Sequence, residues 1–285
     1  MTKVIVEATR GLRVREHPTV FSRVVAGLLY HSIVDVTEKS GVWGKVPSKH
    51  GWIHLGYTSP WNPDDHPVTE WLDEPLVDIS HYQPCLRDGF WCGQRIPWAV
   101  VLKASQGTDI QDATFCYRYR TLSDIGWHRA TYHFAEPLAP WRGQAEMWKK
   151  AIASAGRSPT GEHVALDWEW YAPKSKRITA RANLLDLLKA LDDMTGRPTW
   201  VYTGKYVWDY YFADYDAVED VTKGRPLWLA SYGRGAPRPP VGWKAVDVWQ
   251  YTPRGTWSGI LNQFWRPKDV DLSHVNKTFA ENYRW

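Results

Sequence analysis

Between Val4 and about Tyr57 the apolar positions fall in short alternating runs, VIV, LRV, VVAGLL, SIVDV, VWGKV and GWIHL, broken by Gly, Pro and Ser. A period of two puts every second side chain on one face, so this segment predicts a small all-β barrel. The stretch Ser59 to Pro75, SPWNPDDHPVTEWLDEP, holds no period and is rich in Pro and Asp, the mark of a linker. Beyond Pro75 the texture changes to apolar runs, PLVDIS, WAVVLKAS, RATYHF, HVALDWEW, PTWVYTG, PLWLASY, AVDVWQY and KDVDLSHV. Between several of them lie helical stretches, including Trp141 to Ala155 and Thr179 to Met194, with apolar residues at steps of three and four. Strands alternating with helices argue for a parallel sheet, and eight candidates in about 210 residues argue for a closed β/α barrel. The later connections are too short for full helices, so the barrel should be irregular. The expected division is 1–62 for the β-domain, 63–75 for the linker and 76–285 for the barrel.

Composition narrows the classes. With 285 residues and 44% hydrophobic content the chain has material for one large core and one small one. No run approaches the ~18 apolar residues of a membrane span, and the opening MTKVIVEATRGLRVRE carries charges where a secretory signal needs an apolar stretch. A chain of this kind is expected to be made in the cytoplasm and, if it acts outside, to be released by lysis or non-standard export. Cys85, Cys92 and Cys116 lack metal-site spacing and read as ordinary thiols, with a Cys85–Cys92 bridge left open. Residues 1–62 hold 8 Lys or Arg against 4 Asp or Glu, whereas the remainder balances at 27 each, so the net charge of +4 sits in the small domain. A basic surface there suits an anionic polymer. Nineteen tryptophans fit either sugar platforms or core filling, which composition alone does not separate.

Four acids stand at the ends of apolar strands, where the mouth of a β/α barrel forms: Asp78 in LVDIS, Asp167 and Glu169 in ALDWEW, and Asp271 in KDVDLSHV. Residues two apart on a strand face the same side about 6.5–7 Å apart, so Asp167 and Glu169 share one cavity. Neighbouring carboxylates suppress each other's ionisation, and burial among rings such as Trp168 and Trp170 would act in the same sense. A carboxylic acid kept protonated near neutral pH is what general acid catalysis needs.

The motifs VDISHYQ, VVLKASQGT, ATYHF, ALDWEW, WLASY, VWQYT and VDLSHVN, in this order, resemble the family 25 glycoside hydrolases, the Chalaropsis-type lysozymes, over residues 76–285. The resemblance implies a (β/α)5β3 barrel, no cofactor or metal, and hydrolysis of the β-1,4 bond between N-acetylmuramic acid and N-acetylglucosamine in bacterial peptidoglycan. It implies Glu169 as general acid, with Asp167 either orienting the substrate's own 2-acetamido group for attack or attacking directly. Asp78 and Asp271 match the other two acids of the family cleft, and Tyr132 a ring beside it. Trp228, Tyr232, Trp249 and Gln250 are sugar-contacting candidates at strand ends, while His133 should point the opposite way. Lys103 and Gln106 match the KASQG stretch, in which relatives often carry Glu at the Gln106 position. The run GLRVREHPTVFSRVVAGLLYHSIVDVTEKSGVWGKV with HGWIHLGY resembles bacterial SH3-like domains and implies a module that binds a wall component; Trp43, Trp52 and Tyr57 are core or ligand platform.

The full expectation is thus a phage-endolysin-like muramidase. Its rivals are a glycan-binding protein without catalysis, which four intact acids argue against, and a hydrolase of the same fold acting on chitin. Nucleic acid is a poor partner for a charge-balanced large domain, and no Gly-rich phosphate loop occurs.

Overall fold

In a computed structural model the structure describes residues 2–8, 11–28, 32–61, 70–83, 97–232, 237–261 and 267–285, with backbone alone at 256–261 and 267–269. Two compact units emerge, Met1–Thr69 and a larger one of Glu70–Tyr232 with Arg238–Trp285.

The small unit is all β. Its strands are β1 (Thr2–Val6), β2 (Leu12–Arg15), β3 (Val24–Leu28), β4 (Ile33–Val36), β5 (Glu38–Ser40), β6 (Trp43–Val46), β7 (Gly51–His54) and β8 (Thr58–Pro60). They pair in the orders β4-β1-β8 and β3-β2-β7-β6-β5. Alternation places Val4 and Val6, Leu12 and Val14, and Val34 and Val36 in one core with Leu28, Val46 and Ile53. Trp43 and Trp52 are buried, whereas Tyr57 is exposed.

In the large unit, β9 (Leu76–Ile79), β10 (Ala99–Gln106), β12 (Arg129–Phe134), β13 (Val164–Trp168), β14 (Trp200–Gly204), β15 (Leu227–Ala230), β16 (Val248–Leu261) and β17 (Pro267–Val275) form an eight-strand ring; the two-residue β11 (Ile110–Gln111) hangs on the edge of β10. All neighbours are parallel from β9 round to β16; β17 runs antiparallel to both β16 and β9 and closes the ring. Helices α1 (Phe115–Asp124), α2 (Trp141–Ser154), α3 (Arg177–Thr195), α4 (Lys205–Phe212) and α5 (Val218–Thr222) fill the connections from β10 to β15, and α6 (Lys277–Asn282) follows β17. No helix lies among the described residues between β15 and β16, and β16 and β17 form an antiparallel pair, in keeping with the short late connections.

Strand alternation sorts the side chains into two layers. Leu76, Val101, Ala130, Ala165, Trp200, Trp228, Val248 and Val275 pack inside the ring. Val77, Val100, Leu102, Leu166, Trp168 and Val201 face the helices, against Trp148 of α2, Leu187 of α3 and Tyr211 of α4. Several of the tryptophans therefore fill core: Trp148, Trp168, Trp200, Trp208 and Trp228 are almost wholly buried. His133 belongs to the helix side, as expected, bonded to Ser105 at 2.9 Å, and burial lowers its pKa to about 4.

Within the expected linker, residues 70–72 are tied to the large unit: Trp71 bridges to Asn276, and Leu72 N–H donates to the Val275 carbonyl. Cys85 and Cys92 lie outside the described residues; Cys116 is a half-buried thiol 2.9 Å from the Ser154 hydroxyl. Among the described residues no helix is long and apolar enough to cross a membrane.

Candidate active site

The ends of the parallel strands meet in a cleft of about 200 Å³ lined by all four acids, Asp78, Asp167, Glu169 and Asp271, with Lys103, Tyr132, Trp228 and Gln250. The reason is the strand parity that also builds the core. On four strands the inward residue below is apolar and the next inward position is polar: Leu76 then Asp78, Val101 then Lys103, Ala165 then Asp167, Val248 then Gln250. Register then sets neighbours side by side, Phe134 beside Asp167, Asp167 beside Tyr202, Tyr202 beside Trp228, and Asp271 beside Asp78.

The acids form two pairs. Asp167 is the penultimate residue of β13, and Glu169 follows just past the strand at the more open mouth. Burial, followed by the adjacent Glu169 carboxylate, holds Asp167 well above the usual carboxylate range. Its Oδ1 is buried with no hydrogen-bond partner. Burial of its carboxyl in the cleft raises Glu169 as well, against the opposing hydrogen bond from Asp167, although the residue is partly open to solvent at the mouth. Asp78 is raised well above its ordinary value, first by burial and then by Asp271, which is itself raised by burial.

One buried cation offsets this charge. Lys103 is 8% exposed, lies 5.0 Å over the Phe134 ring and donates to Gln106 at 2.8 Å. Burial lowers its pKa, and Asp167 is the carboxylate that most opposes that fall. Gln106 does not line the cleft; it holds Lys103 on one side and donates to Glu136 at 3.3 Å on the other.

Most of the expected contact residues come together, but not all. Tyr132 is half-buried in the cleft and burial raises its hydroxyl pKa well above normal; Trp228 lines the wall and donates to Ser273 at 2.9 Å. Tyr232, 56% exposed, reaches in through a short bond to Gln250. Trp249 does not line the cleft. Alternation beside the inward Gln250 turns it to the outer face, where it is 8% exposed against Trp71 and His274 and donates to the Ser231 carbonyl. Trp168 departs from expectation for the same reason: it packs on Tyr211, so it does not bury the acids beside it in sequence. Trp170 is 48% exposed and touches Phe134 edge-on at 4.9 Å. The carboxylates are instead buried by the barrel wall.

Five residues that the sequence patterns did not mark, Ser80, Tyr82, Gln83, Phe134 and Tyr202, also line the cleft. Phe134 was available from parity, two residues after Tyr132. Tyr82 and Gln83 follow Asp78 in a loop fixed by Arg118, which donates to the Ser80 and Gln83 carbonyls at 2.6 and 2.5 Å. Asp112 anchors the same loop by accepting the His81 backbone N–H at 2.9 Å.

A barrel whose strand ends gather paired, protonatable carboxyls around one cation is built for acid–base chemistry on a neutral polymer bond. The family model described as glycosyl hydrolases family 25 matches residues 77–260, and the chain belongs to that family; it is a glycoside hydrolase. Lysozyme M1 of Streptomyces globisporus is 25% identical over 213 residues, covering 72% of this chain and 68% of its own. The N,O-diacetylmuramidase of Arthroderma benhamiae is 28% identical over 183 residues, 61% of this chain and 74% of that protein. Among solved structures, the muramidase from Trichobolus zukalii superposes with a TM-score of 0.56 at 27% identity, covering 71% of this chain and 93% of that one.

Proposed function

We propose that the chain is a muramidase that cuts the β-1,4 bond between N-acetylmuramic acid and N-acetylglucosamine in bacterial peptidoglycan. The observation that carries this reading is the buried Asp167 beside the mouth-facing Glu169, both with raised proton affinity, in a family whose relatives are named lysozyme and muramidase. Glu169 gives its proton to the leaving oxygen. Asp167 orients and polarises the substrate's 2-acetamido group, which attacks the anomeric carbon, and the Tyr132 hydroxyl assists from the adjacent strand. Asp78 and Asp271 hold the sugar or its neighbours from the opposite pair of strands. Tyr232, exposed at the mouth, offers a ring to the glycan, Trp228 walls the cleft, and Lys103, kept in place by Gln106, balances the charge of the acids. In this reading the barrel is of the (β/α)5β3 kind, occupying 76–285, and uses no cofactor.

The β-domain, 1–62, is read as an SH3-like module that holds the enzyme on a wall component. Its support is the two-sheet small core and the basic excess of 8 against 4 charged residues. The enzyme works on the wall after release from the cell that makes it, by phage lysis or a non-standard route.

Digestion of purified peptidoglycan, followed by borohydride reduction and mass spectrometry, is expected to yield fragments ending in reduced N-acetylmuramic acid, with little product from chitin. Chitin cut as fast as peptidoglycan would favour the other polymer; wall binding without cutting would favour a non-catalytic glycan binder. NMR of fresh digests is expected to show retained anomeric configuration, and an inverted product would sink attack by the acetamido group.

A further inference from the structure

The Gln250 amide sits where three strands meet. Its carbonyl oxygen accepts from the Tyr202 hydroxyl at 2.8 Å and, through a shorter bond, from the Tyr232 hydroxyl. Two donors fill the two lone pairs of an amide oxygen, so the NH₂ is left to face the other way. It donates to Oδ2 of Asp78 at 3.0 Å. Tyr202, Gln250 and Asp78 are respectively 6%, 2% and 6% exposed, so no water competes freely for these groups. Asp78 in turn stands opposite Asp271 in the β9–β17 register, and two carboxyls set this close favour a proton on one of them. An oxygen that accepts an N–H cannot also carry a proton directed along the same line.

We propose that Gln250 is a positioning residue for the hydrolysis: clamped by Tyr202 and Tyr232, it donates to Oδ2 of Asp78, orients that carboxyl beside Asp271 and opposes its protonation. The inference rests on the muramidase reading for its kinetic consequence, though not for its geometry. Other titratable groups face Asp78 too: Asp271 from β17, Asp167 from β13 and Glu169 just beyond it, Tyr132 from β12 and Lys103 from β10. Most of these are carboxyls, whose charge favours protonation of Asp78, and the Gln250 donor opposes them. Without that donor the Asp78–Asp271 pair takes up its second proton at a higher pH, and the acid limb of the rate profile moves up with it.

A mutant cycle tests this. Gln250→Met is expected to lower kcat/KM roughly 10- to 100-fold, the factor carried by a hydrogen bond to a charged group. Its acid limb should move to higher pH. Tyr232→Phe alone is expected to lose about 2- to 10-fold, as for a neutral hydrogen bond, and to lose nothing more in the Gln250→Met background. Equal losses in both backgrounds would show the hydroxyl acting on substrate directly and overturn the clamp. The Asp78 midpoint, followed by carboxyl ¹³C NMR, should rise in Gln250→Met, and an unchanged midpoint also overturns the proposal. That titration uses no substrate, so an inactive wild type would sink the muramidase reading while the NMR result still decides the role of Gln250.

Discussion

Glu169→Gln is expected to lower turnover on purified peptidoglycan by roughly 10²- to 10⁴-fold, the range that a positioned general acid supplies. The substitution keeps the size and planarity of the side chain and removes only its ability to give up a proton. Glu169 lies beyond the end of β13 at an exposed position, and its raised proton affinity means that its charge does not help the fold. The variant should therefore melt no lower than the wild type at pH 7, with wall binding unchanged. Asp78→Asn and Asp271→Asn should each reduce turnover by less, because neither donates to the leaving oxygen in the proposed reaction. A Glu169→Gln chain that retains more than about a tenth of the wild-type rate would transfer the acid role to another carboxyl of the cleft.

Asp167→Asn should move stability and activity in opposite directions. Asp167 is buried, its Oδ1 has no partner, and its proton affinity is raised first by burial and then by Glu169. For a group whose folded pKa lies above its unfolded value, the stabilising contribution is complete below the unfolded pKa and lost as pH rises through the folded one. At neutral pH the wild type thus bears the cost of this site, while an uncharged amide does not. The variant is expected to gain on the order of 1–2 kcal/mol at pH 7, the scale seen when a strained active site is relieved. In a domain of this size, each kcal/mol raises Tm by about 2–4 °C. The gain should shrink as pH falls into the ordinary carboxylate range, where the wild-type acid is protonated in both states. Paired thermal melts at neutral and acid pH check the sign, and a variant that is less stable at pH 7 than the wild type would refute the assignment. Loss of the Lys103 partner works against the gain, since Lys103 is the cation that lowers the proton affinity of Asp167. Activity should fall sharply in the same variant, since the acetamido group loses its carboxylate partner.

Both expectations come from one feature of the fold: on the strands that carry Asp78, Lys103 and Asp167, inward positions switch from apolar to ionisable in one step. Leu76 and Asp78, or Ala165 and Asp167, share a face by parity alone, and that much was legible from the chain. The D-x-E spacing likewise suffices to place Asp167 and Glu169 in one cleft. Parity also separates His133 from Tyr132, because adjacent strand residues must face apart. The same rule, applied throughout, turns Trp168 and Trp249 away from the cleft; chemical attraction of an indole to sugar was the misleading cue.

Other features depend on contacts between distant segments. Tyr202 carries no local signal, and only the β13–β14 register puts it beside Asp167. Gln250 could be placed at a strand end, but its bond to Asp78 spans 172 residues and exists because β16, β17 and β9 are neighbours in a closed ring. Lys103 and Gln106 stand together in one motif, yet only the packing separates the one that lines the cleft from the one that restrains it.

Local pattern thus accounts for the family, the order of strands and helices, the face on which each acid lies and the pairing of Asp167 with Glu169, because periodicity and short spacings are properties of neighbouring residues. Folding of the whole barrel decides which acids become neighbours across strands, which side chains bury them, and how the hydroxyls of Tyr202 and Tyr232 fix the Gln250 amide. Those relations depend on register and ring closure, which are set by packing throughout the barrel and by no single stretch of residues.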